Sequence, residues 1–197
     1  MRPFARSIDA AVIAFLAVWA GASIMVGVVA ATAFPIVKDL DPVVPQLAQY
    51  AGDHWRIVAG RILNTAFHFA DIIGAAAYGL AFLALILGLL TNRTARKPLA
   101  PIRYGAFVAL GVVTFYALFS LRPEMQSHLD AYWQAASNGE NDAARSHQQG
   151  FNELHSPATY TMTAQLLLML ACILLTAAAP TRDAAARRHS TNDPEPA

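Results

Sequence analysis

Residues 72 to 90 read IIGAAAYGLAFLALILGLL and contain no charged side chain. At a rise of about 1.5 Å per residue, a helix of this length extends about 29 Å, which matches the ~30 Å hydrocarbon core of a bilayer. A helix satisfies its backbone hydrogen bonds internally, so it is one of the few structures that can cross such a core. The stretch therefore predicts a membrane span.

The composition of the whole chain agrees with a membrane protein. Of its 197 residues, 56% are hydrophobic and only 14% are charged, whereas soluble domains carry about 25% charged residues. The single cysteine excludes a disulfide scaffold. The net charge of +1 argues against a nucleic-acid partner, because phosphate binding requires a clustered basic surface. No phosphate loop, nucleophile elbow or kinase motif occurs, so the sequence favours a non-enzymatic protein whose first partner is the lipid bilayer.

Three further apolar runs are long enough to cross a membrane. The predicted spans cover residues 10–37, 62–90, 104–121 and 156–181. The predicted fold class is all-α, an integral membrane four-helix bundle with partly helical external loops. Residues 182–197 are polar and lack an apolar period, which predicts a disordered cytoplasmic tail.

The distribution of basic residues predicts the orientation. Nine of the 14 lysines and arginines precede the first span, join the second to the third, or follow the fourth. The opposite side holds five basic and eight acidic residues. By the positive-inside rule, both termini are cytoplasmic and the two longer loops are external. The first apolar run covers 28 residues, too long for a signal peptide, whose apolar region covers about 7 to 15. We expect a multi-pass protein of the bacterial inner membrane.

A stripe of polar side chains runs along one face of the second span. At 100° per residue, five of them project within about 100°: Arg61, Asn64, His68, Asp71 and Tyr78. If Arg61 marks the interface, Asp71 lies about 15 Å deeper, near the middle of the hydrocarbon core. A carboxylate there must be neutral, paired or hydrated. We therefore expect His68 and Asp71 to point into the bundle, towards the third and fourth spans.

Further ionisable residues lie where the loops meet the outer ends of the spans. This predicted external mouth consists of His54, Arg122, Glu124, Glu153 and His155. Ser156 followed by Pro157 is typical of a helix start, which sets His155 at the depth of Arg61. The sequence predicts a polar cluster that joins Arg61 and His155 to at least one other charged member of the mouth.

Three hypotheses about function follow from these polar residues. An externally open site for a small solute, ion or proton predicts a hydrated polar cavity. A metal- or haem-binding redox protein predicts two histidines within ligand distance, because imidazole and carboxylate suit zinc, iron and copper. A structural or partner-binding bundle predicts paired polar groups and no cavity. A homo-oligomer is compatible with each of the three.

The segment before the fourth span resembles a known family. The run Phe151-Asn152-Glu153-Leu154-His155 resembles the Phe-x-x-Leu-His that opens the last helix in the transmembrane protein 205 family and its bacterial relatives, which carry a domain of unknown function numbered 4149. Trp19-Ala20-Gly21, with the later Phe34, and Ala59-Gly60-Arg61 are similar to other short motifs of that family. The resemblance implies a four-helix membrane protein without a settled activity. The Trp-x-Gly motif is also similar to that of copper-resistance and haem-pathway membrane proteins, which implies the metal or haem alternative.

Overall fold

The computed structural model describes residues 2–91 and 99–178, with side chains described over 7–90 and 99–178. Over these residues the fold contains no strand, and its α-helices are α1 (Arg2–Leu40), α2 (His54–Thr91), α3 (Ala100–Tyr116), α4 (Arg122–Ser137) and α5 (Asn141–Ala178). A π-helical turn at Ala117–Leu121 joins α3 to α4, so the two form one rod, and a 3-10 turn at Pro45–Leu47 lies between α1 and α2. Four rods result, each long and apolar enough to cross a membrane. The predicted all-α four-helix membrane architecture is confirmed.

The helices extend beyond the predicted spans. α5 alone contains 38 residues, about 57 Å of helix, nearly twice the hydrocarbon thickness. Ser156 and Pro157 lie inside α5 and do not start it. Pro157 removes one backbone hydrogen-bond donor from the helix. The helix continues through it because the turns before Pro157 pack on α4. The predicted tail, residues 182–197, lies outside the described residues.

The inner half of the bundle is held by one hydrophobic core. Side chains from all four rods meet there, among them Val12, Leu16, Trp19, Ala77, Ala81, Leu85, Phe107, Leu110, Met169 and Cys172. α1 packs along α2, and α5 contacts both α1 and α3, whereas α2 contacts α3 only sparsely. The bundle therefore consists of the α1–α2 pair and the α3–α4–α5 unit, with a seam between α2 and the α3–α4 rod.

A second core lies where α4 and the first half of α5 form a hairpin. We call this end of the molecule the outer end. The hairpin turns at Gly139, whose φ of +75° favours glycine. Tyr132 of α4 and Leu47 of the α1–α2 loop are both buried in this core. The hydroxyl groups of Tyr50 and Tyr132 lie 2.9 Å apart, so the loop and the hairpin form one packed layer.

Candidate functional site

Asp71 is paired across the seam with Arg122. Arg122 Nε donates to Asp71 Oδ2 at 2.6 Å, with the side chains 25% and 33% exposed, respectively. The Arg122 guanidinium also lies over the ring of Phe67, 4.7 Å from its centroid. Pairing is one of the three states that an acid in this stripe could adopt. The ion pair and the cation–π contact together fix the guanidinium against α2.

Two other residues of the predicted stripe also bridge the seam. The Tyr78 hydroxyl donates to the Phe107 carbonyl oxygen of α3 at 3.2 Å. It fits there because residue 111 is glycine, and a Cβ on Gly111 would overlap the Tyr78 hydroxyl. Towards the outer end, the Arg61 guanidinium lies over the Trp133 ring, 5.3 Å from its centroid. The stripe therefore connects α2 to the α3–α4 rod at three levels.

A cavity of about 670 Å³ lies between the two halves of the bundle. This volume is within the range of small-molecule sites, about 300 to 1,000 Å³. On α1 the lining extends from Trp19 to Phe34, which is about 22 Å along the helix axis. Most lining side chains are apolar, and the polar ones include Ser23, Asn64, Asp71, Thr114, Arg122, Gln148, Asn152, His155 and Gln165.

Four of the predicted site residues line this cavity. They are Asn64, Asp71, Arg122 and His155. His68, by contrast, has an exposed side chain and does not belong to the lining, contrary to the expectation that it points into the bundle. The reason is angular: His68 projects about 60° away from Asp71 around the helix axis, towards the exposed edge of the stripe. Arg61 shares that edge, and only its length lets it reach Trp133.

The residues of the predicted external mouth make different contacts. His54 Nδ1 accepts a hydrogen bond from the Val44 backbone N–H at 3.1 Å, so it supports the α1–α2 loop. Glu124 and Glu153 are exposed. Within the described part of the chain, no hydrogen bond or ion pair joins Arg61 or His155 to each other or to the remaining members of the mouth. The partner of Arg122 is Asp71, and Arg61 makes an aromatic contact in place of the predicted cluster.

Several contributors to the site were missed in the sequence. Phe67 and Trp133 receive the two guanidinium groups. At the inner end of the cavity, Gln165 Nε2 donates to Thr114 Oγ1 at 3.3 Å. The positions of these aromatic residues did not indicate arginine partners, because a ring at helical spacing is usually part of a core. Arginine and aromatic residues that meet in the fold can be far apart in the sequence, so no spacing indicates the contact.

The metal or haem alternative requires histidines within ligand distance of one another. Residues 7–90 and 99–178 contain no group of three or more His, Cys, Asp or Glu side chains that could hold a metal ion. The rings of His128 in α4 and His147 in α5 have centroids 5.9 Å apart, and neither residue lines the cavity. The ring neighbours of His68 and His155 are phenylalanines on their own helices.

The comparisons with known proteins give no relative from which a function could be transferred. No protein-family model, curated protein or solved structure matches the chain. Evidence about function therefore comes from the cavity and from the residues that bridge the seam.

Proposed function

We propose that this chain is a multi-pass protein of the bacterial inner membrane that binds a small molecule in the cavity between its helices. The observation that carries the proposal is the Asp71–Arg122 pair, a charged and hydrogen-bonding group in the wall of a mostly apolar cavity. Small-molecule sites combine such an apolar wall with a few placed polar groups. The proposed role is binding, without a chemical reaction.

The position of the pair along the helices supports access from outside the cell. Asp71 lies about 30 Å along α2 from Thr91, and Arg122 lies about 33 Å along its rod from Ala100. If the ~30 Å hydrocarbon layer begins at the inner ends of the helices, near Thr91 and Ala100, its outer boundary lies at the level of Asp71 and Arg122. Asp71 would then lie at the outer boundary of the hydrocarbon. The sequence alone predicted a position near the middle, because Arg61 was taken as the interface. Most of the cavity then lies among the parts of the helices that project beyond the hydrocarbon.

The orientation remains part of the proposal. The distribution of basic residues supports cytoplasmic termini, and it places the α4–α5 hairpin on the external side. In that orientation the end of the cavity at Phe34 and Trp55 is its external end. A ligand would then arrive from the external medium or from the outer leaflet.

The wall of the cavity favours an organic molecule over a bare ion. Calcium takes six to eight oxygen ligands, and magnesium requires a nearly octahedral set. The carboxylate that lines this cavity, Asp71, is already bonded to Arg122. A purely structural bundle predicts no cavity, so the 670 Å³ space favours binding over that alternative.

A distant relationship to the transmembrane protein 205 family is also proposed. Its support is spatial: five residues that carry the resemblance come from α1, α2 and α5 and line the cavity, namely Trp19, Phe34, Gly60, Phe151 and His155. Short motifs far apart in sequence would converge in this way if they formed a common binding site. The relationship adds no ligand, because the family has no settled activity.

Two matched glycine substitutions test the binding function. Gly27 lines the cavity and Gly21, two turns away on α1, does not. A Cβ at either position would have no neighbour within 4 Å, so Gly27→Leu and Gly21→Leu add the same side chain without a backbone clash. We expect native mass spectrometry to find a small-molecule adduct on the wild type and on Gly21→Leu but not on Gly27→Leu. The absence of an adduct on the wild type, or equal adducts on both variants, would contradict the proposal.

A further inference from the structure

We propose that the ligand of the cavity is an uncharged amphiphile, with a carbonyl-bearing head group at Arg122 and an alkyl chain along the apolar wall. This inference rests on the proposed binding function and specifies its ligand. Three properties of the cavity carry it: its charge balance, the donors left on Arg122, and its length.

The charge balance argues for an uncharged head group. Both arginines that line the cavity are bonded to a carboxylate: Arg122 to Asp71 at 2.6 Å, and Arg56 to Asp53 at 2.8 Å. An anionic head group beside Arg122 would face the Asp71 carboxylate, and the described lining holds no unpaired arginine or lysine to offset the repulsion. A cationic head group would be repelled by the Arg122 guanidinium. Uncompensated charge is costly in a partly buried site, so the balanced wall selects a neutral ligand.

Arg122 still has hydrogen bonds to give. A guanidinium carries five N–H donors, and a single carboxylate takes at most two of them in parallel. Asp71 is the carboxylate bonded to Arg122, through Nε, and Phe67 covers one face of the guanidinium plane. The donors that remain lie in the plane of the group, where a carbonyl oxygen of an ester, amide or ketone can accept them.

The length and wall of the cavity match an extended chain. The lining of α1 covers about 22 Å, with Trp19 at the inner end and Phe34 at the outer end. Met162 and Leu166 of α5 add apolar surface near the inner end. Because backbone contacts between α2 and α3 are sparse, a ligand that comes from the bilayer would enter along this seam. An amphiphile that arrives from the external medium would need the same two parts, a carbonyl-bearing head group and an alkyl chain.

Competitive photolabelling of the full chain in phosphatidylcholine nanodiscs tests the inference. The probe is a monoacylglycerol with a diazirine in its chain. The competitors share one chain type: monoolein is neutral with a carbonyl, oleyl sulfate is permanently anionic, and octadecene has no acceptor. We expect monoolein to displace the probe at a concentration about tenfold lower than either of the others. Oleyl sulfate or octadecene competing as well as monoolein would overturn the inference.

The substitution Asp71→Asn provides a second test that does not depend on loss of binding. Asparagine has nearly the same shape, but it leaves Arg122 as an uncompensated cation in the cavity wall. The order of competitors should then reverse, with oleyl sulfate displacing the probe at a lower concentration than monoolein. An unchanged order in a variant that elutes as a folded, monodisperse protein would overturn the assigned head-group site.

The two proposals fail in different ways. If labelling of Gly27→Leu equals that of the wild type, the probe binds outside the cavity and the inference about the ligand is wrong, whereas the binding function itself fails only if native mass spectrometry finds no adduct that depends on Gly27. If Gly27→Leu abolishes labelling while Asp71→Asn leaves the order of competitors unchanged, the cavity binds amphiphiles but Arg122 and Asp71 do not select the head group.

Discussion

Arg122, the first residue of α4, donates a 2.6 Å hydrogen bond to Asp71 of α2 across the seam between the two halves of the bundle. The backbones of α2 and the α3–α4 rod contact each other little, so side chains carry the connection. The same pair lines the cavity. Asp71 and Arg122 therefore contribute both to the assembly of the bundle and to the character of the proposed site.

Removal of one partner of this pair should destabilise the protein more than a change in the apolar core. We expect Asp71→Leu to lower the free energy of unfolding by about 1 to 3 kcal/mol, because it leaves the Arg122 charge without its acceptor. Cys172→Ala, at a fully buried position, removes only one small apolar group and should cost less. The measurement is the thermal midpoint of each variant in the same detergent. A smaller loss for Asp71→Leu than for Cys172→Ala would show that the pair contributes little.

The close approach of Tyr78 to α3 predicts opposite effects at two glycines of the same helix. Gly111→Ala places a methyl group on the Tyr78 hydroxyl and should destabilise the protein by about 1 to 3 kcal/mol. Gly105→Ala meets no neighbour within 4 Å and should stabilise α3 by up to about 1 kcal/mol. Tyr78→Phe combined with Gly111→Ala should recover part of the loss. Equal thermal midpoints for the two single variants would contradict the contact.

The two tyrosines of the outer layer should act as one unit. Tyr50→Phe and Tyr132→Phe each remove half of a hydroxyl pair with oxygens 2.9 Å apart. Each should cost about 1 kcal/mol, and the double variant should cost less than the sum of the two, because the second change has no bond left to remove. A double-variant cycle on chemical unfolding measures this coupling. Strictly additive costs would mean that the loop and the hairpin are not coupled through these hydroxyls.

Labelling of the hairpin tests the proposed orientation. Asn138 is exposed at the α4–α5 turn, and the native cysteine, Cys172, is buried and replaceable by alanine. In Asn138→Cys, Cys172→Ala cells, a membrane-impermeant maleimide should react without disruption of the membrane. Protection in intact cells, with reaction only after lysis, would reverse the orientation and place the cavity mouth in the cytoplasm.

The helical fold could be predicted because its evidence is local. An uncharged run such as residues 72–90 satisfies its own backbone in lipid, whatever surrounds it. Helix ends were harder to predict, since α5 passes through Ser156 and Pro157 with support from α4, a tertiary contact. Because the fourth span was expected to start near Ser156, the continuous helix from Asn141 through Pro157 was not predicted.

The polar stripe was predicted as a set, and the structure separates its members. Asp71 and Tyr78 project to the side that meets the α3–α4 rod, and His68 projects to the exposed edge. A face 100° wide is broad enough to contain both environments, so periodicity alone cannot assign each residue. The partner of Asp71 was also beyond periodicity, because Arg122 is 51 residues away in sequence.

An experimental density map of the protein, extracted together with its native lipids, tests most directly whether the space between the α1–α2 pair and the α3–α4–α5 unit is a binding site. We expect elongated non-protein density along the apolar wall, with one end in hydrogen-bonding contact with the Arg122 guanidinium. A cavity closed by direct packing of α2 on the α3–α4 rod, with no space beside Arg122, would contradict it.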